Sequence, residues 1–404
     1  MKILIAAASF ASNISGIQRH ALNLVRCLLL RPEVTEVHWV VAPWQDGMAR
    51  AAGLSHDFRF IPHLAAMGKH SLARNLWYYG RLPLLATQLD VDLVHLCCPM
   101  PLDASAFPCP TVVTLHDLYP YEIPLNFGFP KYLFNRVVLQ QCLRNVDAIA
   151  CVSDATAERL QQYIPAAFGK AVRIHNCVEA ATAPEPDATA GPAVPIPDWR
   201  GEPFLLSVAQ HRRNKNIPLL VRTFHHLLRS GEIPYASRLV VIGIRGPETP
   251  NLHRLIASCA LENRVHFLEG LSEAELQACY RNCAVLLAPS ITEGFGLPIA
   301  EGILAGCRIV ASNIPAHREI SRSGVGDDRC TLVRLGEDAE EALSAAVLTS
   351  LRKPKPLPAA LPHLSAPMLA EQYVDLYRRL LPAPAKRAAF THSIAMATAG
   401  RQSL

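Results

Sequence analysis

Two carboxylates with a glycine-rich loop between them have the residue types and spacing best suited to chemistry. Glu293 and Glu301 enclose the residues Gly-Phe-Gly-Leu-Pro-Ile-Ala. Gly294 and Gly296 allow the backbone to approach a ligand without an intervening side chain. Pro298 is typical of the first position of a helix, where free N–H groups bind anions. A ligand that carries both phosphate and hydroxyl groups, such as a nucleotide sugar, fits this combination.

The segment around this loop resembles the donor-site signature of retaining glycosyltransferases of family 4, which have the two-domain GT-B fold. The resemblance runs from Pro289-Ser290 through Glu301, and continues at Gly306 and at Ile309-Val310-Ala311-Ser312. The alternative interpretation is an ordinary loop-helix turn with a surface Glu at each end. The length of the match favours the glycosyltransferase interpretation.

The resemblance implies separate roles for the two carboxylates. Glu301 is expected to hold the ribose hydroxyls of the nucleotide, because a carboxylate accepts two hydroxyl donors well. Glu293 is expected to contact the transferred sugar and to stabilise positive charge at its anomeric carbon. The amides of Phe295, Gly296 and Leu297 are candidate contacts for the diphosphate or the sugar.

A basic loop precedes the predicted helix that begins at Ile217. It resembles the loop with which the family neutralises the leaving diphosphate, and Lys215 matches the family lysine directly. Arg212 or Arg213 would supply the second cation, since Asn214 holds the adjacent position. Charge-assisted hydrogen bonds would favour the leaving group as its charge develops. A solvated basic loop is the alternative.

Two turns in the first half of the chain extend the predicted site. The turn at His116-Asp117 ends a predicted strand and resembles the family's His-Asp turn, whose His approaches the donor sugar. His116 would bond a sugar hydroxyl or move a proton, and a buried structural His is the alternative. Gly16, in Ser15-Gly16-Ile17, matches the family's glycine loop, with one Gly where two are frequent. Ser153-Asp154 and His175-Asn176-Cys177-Val178 resemble two further family turns, with Cys177 in place of a usual Gly.

Apolar runs alternate with amphipathic segments along most of the chain, which predicts an α/β fold. Continuous apolar strands separated by helices indicate parallel sheets covered on both faces. Right-handed crossovers then give two Rossmann-like doubly wound domains, and two such domains facing across a cleft form the GT-B fold. The predicted strands are Ile3–Ala8, Val37–Ala42, Leu93–Leu96, Thr111–Leu115, Ala148–Val152, Phe204–Val208, Arg238–Ile244, Val265–Leu268, Ala284–Ala288 and Arg308–Ser312.

The predicted domain boundaries follow the same pattern. An N-terminal Rossmann-like, acceptor-binding domain covers residues 1–180, and a linker rich in Pro and Ala covers 181–201. A C-terminal Rossmann-like domain for the nucleotide sugar covers 202–366. By resemblance, a C-terminal helix at 367–382 returns to the N-terminal domain. Residues 383–404 lose periodicity and are predicted to be disordered.

Composition limits the classes of protein that remain. The chain has 404 residues, half of them apolar, and a net charge of +5, which does not indicate a nucleic-acid partner. Its twelve Cys form no CxxC pair, which favours reduced thiols in a cytoplasmic protein over a zinc site. The N-terminus suits a buried first strand better than the alternative, a signal peptide. No uncharged apolar stretch reaches the roughly 18 residues that indicate a spanning helix.

Two further segments allow alternative interpretations. Asp90-Val91-Asp92 has the form of a metal motif, but it precedes a strand and is interpreted as a surface turn. We therefore expect a metal-independent enzyme with no cofactor besides its donor substrate. Residues 69–81 mix basic and aromatic side chains, which suits a membrane interface or a lipid-linked acceptor. A helix with a basic solvent face and an aromatic core face is the favoured alternative.

With the resemblance, these features predict a retaining hexosyltransferase of surface polysaccharide biosynthesis, such as that of lipopolysaccharide. It would move a hexose from a nucleotide-diphosphate sugar, with a lean towards GDP-mannose, to a saccharide or lipid-linked saccharide. It would be cytoplasmic, with peripheral contact to the inner face of the membrane left open. A front-face displacement is expected, because no second nucleophilic carboxylate is evident near Glu293. The alternatives are a GT-B sugar-nucleotide epimerase or hydrolase, and a non-catalytic scaffold subunit of a polysaccharide-synthesis complex.

Overall fold

The computed structural model describes residues 1–9, 16–51, 53–179, 194–322 and 328–381. Ser15, most of the predicted linker and the whole of the predicted tail at 383–404 lie outside the described residues. The described chain forms two sheets with helices in the connections between strands. This α/β arrangement is the fold class that the sequence predicts.

The first sheet contains seven strands in the order 3-2-1-4-5-6-7. Its strands are β1 (Lys2–Ala6), β2 (Glu36–Val41), β3 (Phe60–Leu64), β4 (Leu93–Leu96), β5 (Thr111–Leu115), β6 (Ala148–Cys151) and β7 (Ala171–Arg173). The first strand pairs in parallel with both β2 and β4, so the N-terminal apolar run is a central strand. Its burial on both faces agrees with its continuous apolar sequence.

The second sheet contains six parallel strands in the order 10-9-8-11-12-13. Its strands are β8 (Phe204–Val208), β9 (Arg238–Ile242), β10 (Val265–Leu268), β11 (Val285–Ala288), β12 (Ile309–Ser312) and β13 (Cys330–Val333). Side chains alternate between its two faces, as the strand geometry requires. Phe204 and Leu206 pack in one apolar core, whereas Leu205 packs in the core on the other face.

Fifteen α-helices are present in the described residues. They are α1 (Gly16–Leu29), α2 (Met48–Ala51), α3 (Ser71–Leu76), α4 (Leu82–Gln88), α5 (Tyr119–Glu122), α6 (Lys131–Asn145), α7 (Asp154–Tyr163), α8 (Pro165–Phe168), α9 (Ile217–Arg229), α10 (Thr249–Ser258), α11 (Glu273–Asn282), α12 (Leu297–Leu304), α13 (Pro315–Ser321), α14 (Ala339–Leu351) and α15 (Ala366–Leu380). A π-helical turn, Trp77–Arg81, joins α3 to α4.

All ten predicted strands are present, but the sequence missed β3, β7 and β13. Each missed strand lies at an edge of its sheet. Their side chains are mostly partly or fully exposed, so they lack the continuous apolar run that identifies a central strand. The sequence pattern therefore predicts the middle of each sheet better than its edges.

The chain forms two compact units. The first contains residues 1–113, 145–149 and the part of α15 from Ala370 onward, and the second contains residues 114–144 and 150–369. In the first unit, the Tyr377 hydroxyl of α15 lies 2.5 Å from His95 Nδ1 on β4. The second unit contains the glycine-rich segment 293–297, called the donor loop below, together with the His116 turn.

The two ambiguous segments lie in the first unit. Asp90 is in a turn with a φ of 48°, and Asp92 accepts a hydrogen bond from the Lys2 amide at 2.9 Å. In the basic and aromatic segment, Trp77 and Tyr78 are buried, and the Tyr78 hydroxyl donates to the Ala8 carbonyl at 2.9 Å. The aromatic face of this segment is therefore largely a core face.

Candidate functional site

The loop between β11 and α12 is the centre of the candidate site. It ends at Gly296, whose φ of 101° lies in the left-handed region that favours glycine. Leu297 is the first residue of α12 and Pro298 the second, one position later than the sequence predicts for Pro. The free amides of the first helical turn consequently border the loop.

Gly294 is the more closely packed of the two loop glycines. A Cβ at Gly294 would lie 1.6 Å from the backbone oxygen of His116, so no side chain fits there. The Gly294 carbonyl accepts hydrogen bonds from the Ser153 hydroxyl and, at 3.0 Å, from the Thr156 hydroxyl. The end of β5 and the start of α7 therefore both hold the loop in position. His116 itself is half-buried.

Glu293 is buried and accepts three side-chain hydrogen bonds. Lys215 Nζ lies 2.5 Å from its Oε1, the Ser290 hydroxyl donates to the same oxygen at 2.7 Å, and the Tyr119 hydroxyl donates to Oε2 at 3.1 Å. Burial opposes ionisation, but the charge of Lys215 and the hydrogen bonds from Lys215 and Ser290 hold the pKa of Glu293 below its usual value. Glu293 is therefore an anion at neutral pH. Losing Lys215 would leave a buried charge unpaired, at a cost of about 3–5 kcal/mol.

The two arginines of the basic loop differ in exposure. Residues Arg213–Lys215 form a 3-10 turn, which ends at Asn216 with a left-handed φ of 52°. Arg212 is half-buried and its charge acts on Asp117, whereas Arg213 is exposed. Of the two candidate arginines, Arg212 is the one that lies among the carboxylates.

Two further carboxyl side chains, those of Asp117 and Glu122, lie near Glu293. Burial raises the pKa of Asp117 to about 6; the hydrogen bond from the Tyr119 amide opposes this rise and the charge of Glu122 adds to it. Glu122 pairs with Arg159 and accepts a hydrogen bond from the Thr292 hydroxyl at 3.0 Å. Burial also raises the pKa of Tyr119 well above its usual value, so this hydroxyl stays protonated and donates a hydrogen bond to Glu293.

Glu301 lies about one turn into α12, as predicted, and is also largely buried. The hydroxyl of Tyr280 on α11 donates to its Oε2 at 2.6 Å. The Tyr280 ring is fully buried, so its hydroxyl is held in position by the surrounding core. The Tyr280 backbone carbonyl accepts hydrogen bonds from the thiols of Cys283 and Cys307, at 3.3 Å and 3.1 Å.

The amides of the loop can bind an anion. The N–H groups of Phe295, Gly296 and Leu297 donate to no acceptor in the described part of the chain. The Phe295 side chain is buried, with its ring 5.7 Å from that of His175. His175 also pairs with Glu319 at 2.9 Å, which fixes the turn that contains Cys177 against α13. Cys177 is absent from the described residues with positive φ, so this position does not need a glycine.

His317 on α13 is a further buried group beside the loop. Its Nδ1 lies 2.9 Å from the Ser312 carbonyl oxygen, and a Cβ at Gly296 would lie 3.3 Å from its Cδ2. Burial lowers the pKa of His317 to about 4, with the Glu293 charge and the Ser312 hydrogen bond opposing this effect. The imidazole is therefore neutral at pH 7.

The structure brings Glu293, Lys215, Arg212 and the loop amides together with the His116 turn in the second unit. Gly16 lies in the first unit, exposed at the start of α1. The sequence did not predict Tyr119, Glu122, Ser290, Tyr280 or His317 as site residues. Across the described residues there is no cluster of three metal-ligating side chains. None of the described helices is both long and apolar enough to cross a membrane.

Two family models match consecutive parts of this chain. The model described as Glycosyltransferase Family 4 matches residues 14–182, and the model described as Glycosyl transferases group 1 matches residues 196–359. The chain belongs to the group 1 glycosyltransferases. The second match contains the donor loop, the basic loop and both carboxylates, and the first contains His116.

Curated relatives of this glycosyltransferase include two O-antigen enzymes. O-antigen chain mannosyltransferase B of Escherichia coli is 24% identical over 376 residues, which cover 87% of this chain and 91% of the relative. O-antigen chain mannosyltransferase RfbU of Salmonella typhimurium is 24% identical over 213 residues, covering 52% of this chain and 54% of the relative. The match to RfbU thus spans about half of each protein.

Solved structures with the same fold cover nearly the whole glycosyltransferase. HepE of Anabaena in complex with UDP and glucose has a TM-score of 0.59 at 17% identity, covering 99% of this chain and 100% of HepE. WaaG, a glycosyltransferase involved in lipopolysaccharide biosynthesis, has a TM-score of 0.60 at 16% identity, covering 93% and 96% of the two chains. The fold is GT-B.

Gly294→Ala is expected to destabilise the glycosyltransferase. Because the new Cβ would meet the His116 carbonyl, the loop or the end of β5 must shift. Overpacking of this kind typically costs about 1–3 kcal/mol. Urea unfolding measures this loss. Gly80→Ala is the matched control, since its Cβ would meet nothing within 4 Å; equal losses in the two variants would contradict the close packing at Gly294.

Proposed function

We propose that this glycosyltransferase moves a hexose from a nucleotide-diphosphate sugar to a saccharide or lipid-linked saccharide, with retention of anomeric configuration, in surface polysaccharide biosynthesis. The observation that carries the proposal is the ion pair of Lys215 with Glu293, next to the amides of Phe295, Gly296 and Leu297, which have no acceptor among the described residues. The loop thus combines free N–H donors with an ionised carboxylate that is paired with a cation. Such a site suits a ligand with an anionic diphosphate and a hydroxyl-rich sugar.

Each group of the ion pair has a role in this proposal. An ammonium has three N–H donors, so Lys215 can bind a diphosphate oxygen while it retains Glu293. Arg212, half-buried near the carboxylates, would supply the second cation. Glu293 would accept hydrogen bonds from the sugar and stabilise positive charge at its anomeric carbon, which its ionised state at neutral pH supports.

The nucleotide would bind through Glu301. Its carboxylate would accept hydrogen bonds from the ribose hydroxyls, while the buried Tyr280 hydroxyl orients it. His116, half-buried at the end of β5, would contact a hydroxyl of the sugar. Lys215 and the loop amides would neutralise the diphosphate without a metal ion.

The donor proposal rests on the relatives. Both O-antigen relatives described above are named mannosyltransferases, which supports GDP-mannose as the donor. HepE was solved with UDP, which makes uridine nucleotides the first competitor. The polysaccharide setting of the proposal likewise rests on the O-antigen names of the relatives.

Thermal unfolding with GDP, UDP, dTDP and CDP tests the donor site. One nucleotide, expected to be GDP, should stabilise the wild type by about 2.7 kcal/mol at roughly 100 times its dissociation constant. Glu301→Ala should remove most of this stabilisation, whereas Glu262→Ala, at an exposed carboxylate of the same unit, should preserve it. The stabilisation should persist in EDTA.

Other outcomes of that experiment would favour the alternatives. No response to any nucleotide would favour a non-catalytic scaffold subunit. Nucleotide binding followed by release of free or epimerised sugar without an acceptor would favour a hydrolase or epimerase. Loss of binding in EDTA would contradict the metal-independent site.

Retention is proposed to occur by front-face displacement. The bond from the anomeric carbon to the diphosphate breaks, the bond to the acceptor oxygen forms on the same face, and the acceptor proton passes to a diphosphate oxygen. Glu122, a carboxylate close to Glu293, is already paired with Arg159 and Thr292, which makes it a poor nucleophile.

NMR of the product should therefore show the donor's anomeric configuration. Intact-protein mass spectra during turnover should show no added hexose. An inverted product would contradict retention. A hexosyl adduct that disappears in Glu293→Gln would replace front-face displacement by a double displacement.

We propose that the enzyme contacts the cytoplasmic membrane surface through α6 and the residues before it. Phe129, just before α6, is 81% exposed, and Leu133 and Val137, one helical turn apart on α6, are 43% and 64% exposed. Residues 123–146 contain Lys131, Arg136 and Arg144 and no carboxylate. Exposed apolar side chains with cations near them in the chain are complementary to an anionic lipid surface.

Co-sedimentation with vesicles of phosphatidylglycerol and phosphatidylcholine tests this contact. The wild type should bind the anionic vesicles, and a Phe129→Ser, Val137→Ser double variant should bind them at least about tenfold less, since burying an apolar side chain contributes about 1.5–3 kcal/mol. The control is Leu72→Ser, Leu76→Ser, which changes an exposed apolar row in the first unit. If only the control variant bound the vesicles more weakly, the membrane contact would lie on the surface of Leu72 and Leu76, and the proposal for α6 would be wrong.

A further inference from the structure

His317 is buried, yet one of its ring nitrogens has no partner among the described residues. The side chain is only 1% exposed. Its Nδ1 lies 2.9 Å from the Ser312 carbonyl oxygen and 3.1 Å from the Ser312 hydroxyl oxygen. For Nε2, no donor or acceptor is found within the ranges that the structure describes. A polar atom of so little exposed a side chain usually bonds to protein or to ordered water.

The contacts of Nδ1 determine the chemistry of Nε2. A carbonyl oxygen only accepts hydrogen bonds, so Nδ1 must carry the proton and donate a hydrogen bond to the Ser312 carbonyl. The Ser312 hydroxyl is itself used, because it donates to the Ser290 carbonyl at 2.5 Å. In this neutral tautomer Nε2 has a lone pair and no proton. It can therefore only accept a hydrogen bond.

The position of the ring relates Nε2 to the donor loop. A Cβ at Gly296 would lie 3.3 Å from Cδ2 and 3.9 Å from Nε2, so the imidazole edge packs beside the loop glycine. The charges of Glu293 and Lys215 both act on the imidazole. The ring thus belongs to the same cluster as the ion pair proposed to bind the sugar and the diphosphate.

A hydrogen-bond acceptor at this position can bind only some groups of the nucleotide sugar. Diphosphate oxygens are acceptors at neutral pH and cannot satisfy a lone pair. Sugar hydroxyls are donors and can do so. Because the proposed function assigns the ribose hydroxyls to Glu301, the transferred hexose is the part of the donor substrate that complements Nε2.

We propose that His317 Nε2 accepts a hydrogen bond from a hydroxyl of the transferred sugar, so that the enzyme binds the nucleotide sugar in preference to the nucleoside diphosphate that remains after transfer. This inference rests on the proposed function, because it assumes a nucleotide sugar in the donor loop. Ser312 acts as a positioning residue, since its carbonyl fixes the tautomer.

Calorimetric titration of two variants with GDP and GDP-mannose tests the inference. If the nucleotide panel selects uridine, UDP and UDP-glucose replace them. His317→Asn keeps a donor near Nδ1 for the Ser312 carbonyl and removes the acceptor at Nε2. His317→Gln places an amide oxygen near Nε2. The two variants therefore separate loss of the acceptor from loss of the ring.

His317→Asn should bind GDP within about threefold of the wild type and GDP-mannose about tenfold more weakly, as expected for one lost hydrogen bond. His317→Gln should recover most of the affinity for GDP-mannose. GDP-deoxymannose analogues then identify the hydroxyl. The analogue that lacks the partner hydroxyl should bind the wild type and the Asn variant equally.

Three results would overturn the inference. The first is an unchanged ratio of GDP-mannose affinity to GDP affinity in His317→Asn. Both ligands could weaken together, which would indicate a structural role. The Gln variant could also fail to recover binding of the sugar nucleotide. A wild type that binds no nucleotide or nucleotide sugar would instead reject the proposed function, and this inference with it.

Discussion

The buried ion pair of Lys215 and Glu293 is the interaction on which the candidate site depends. A carboxylate removed from water is stable only if cations and donors replace its hydration. Lys215, Ser290 and Tyr119 supply those donors from three separate segments of the chain. The basic loop, the donor loop and the turn after β5 are therefore held to one another by their contacts with the Glu293 carboxylate.

That coupling also explains the electrostatics around the ion pair. Glu293 keeps a low pKa because the lysine charge acts on it, while Asp117 and Glu122 have raised pKa values from burial and from neighbouring carboxylates. Several acids in one region thus differ in their ease of ionisation. The environment of each group, and not its residue type, determines its protonation.

Much of this architecture could be predicted because local sequence carries the relevant physics. Central strands of parallel sheets are buried on both faces, so β1, β8 and β12 appear as continuous apolar runs. The exposed edge strand β3 has no such run and was missed. The donor loop was recognisable because its glycines and carboxylates lie close together in sequence.

The remaining site groups come from long-range packing, which no local pattern records. Tyr119 is 174 positions away from Glu293 in the chain, and an aromatic residue near a strand end has no distinctive signature. Tyr280 occupies an apolar helix position like any core residue, although its hydroxyl holds Glu301. His317 is one of sixteen His in the chain, and only its burial beside Gly296 distinguishes it.

In the proposed donor site, the placement of Tyr280 makes ribose recognition a property of the protein interior. Its ring is part of the apolar core on one face of the second sheet, together with Leu286 and Cys307. A displacement of that ring moves the hydroxyl that orients Glu301, with no change in any residue that touches the nucleotide. Substitutions in this core would therefore alter the affinity of the proposed site for its nucleotide without changing any residue proposed to touch it.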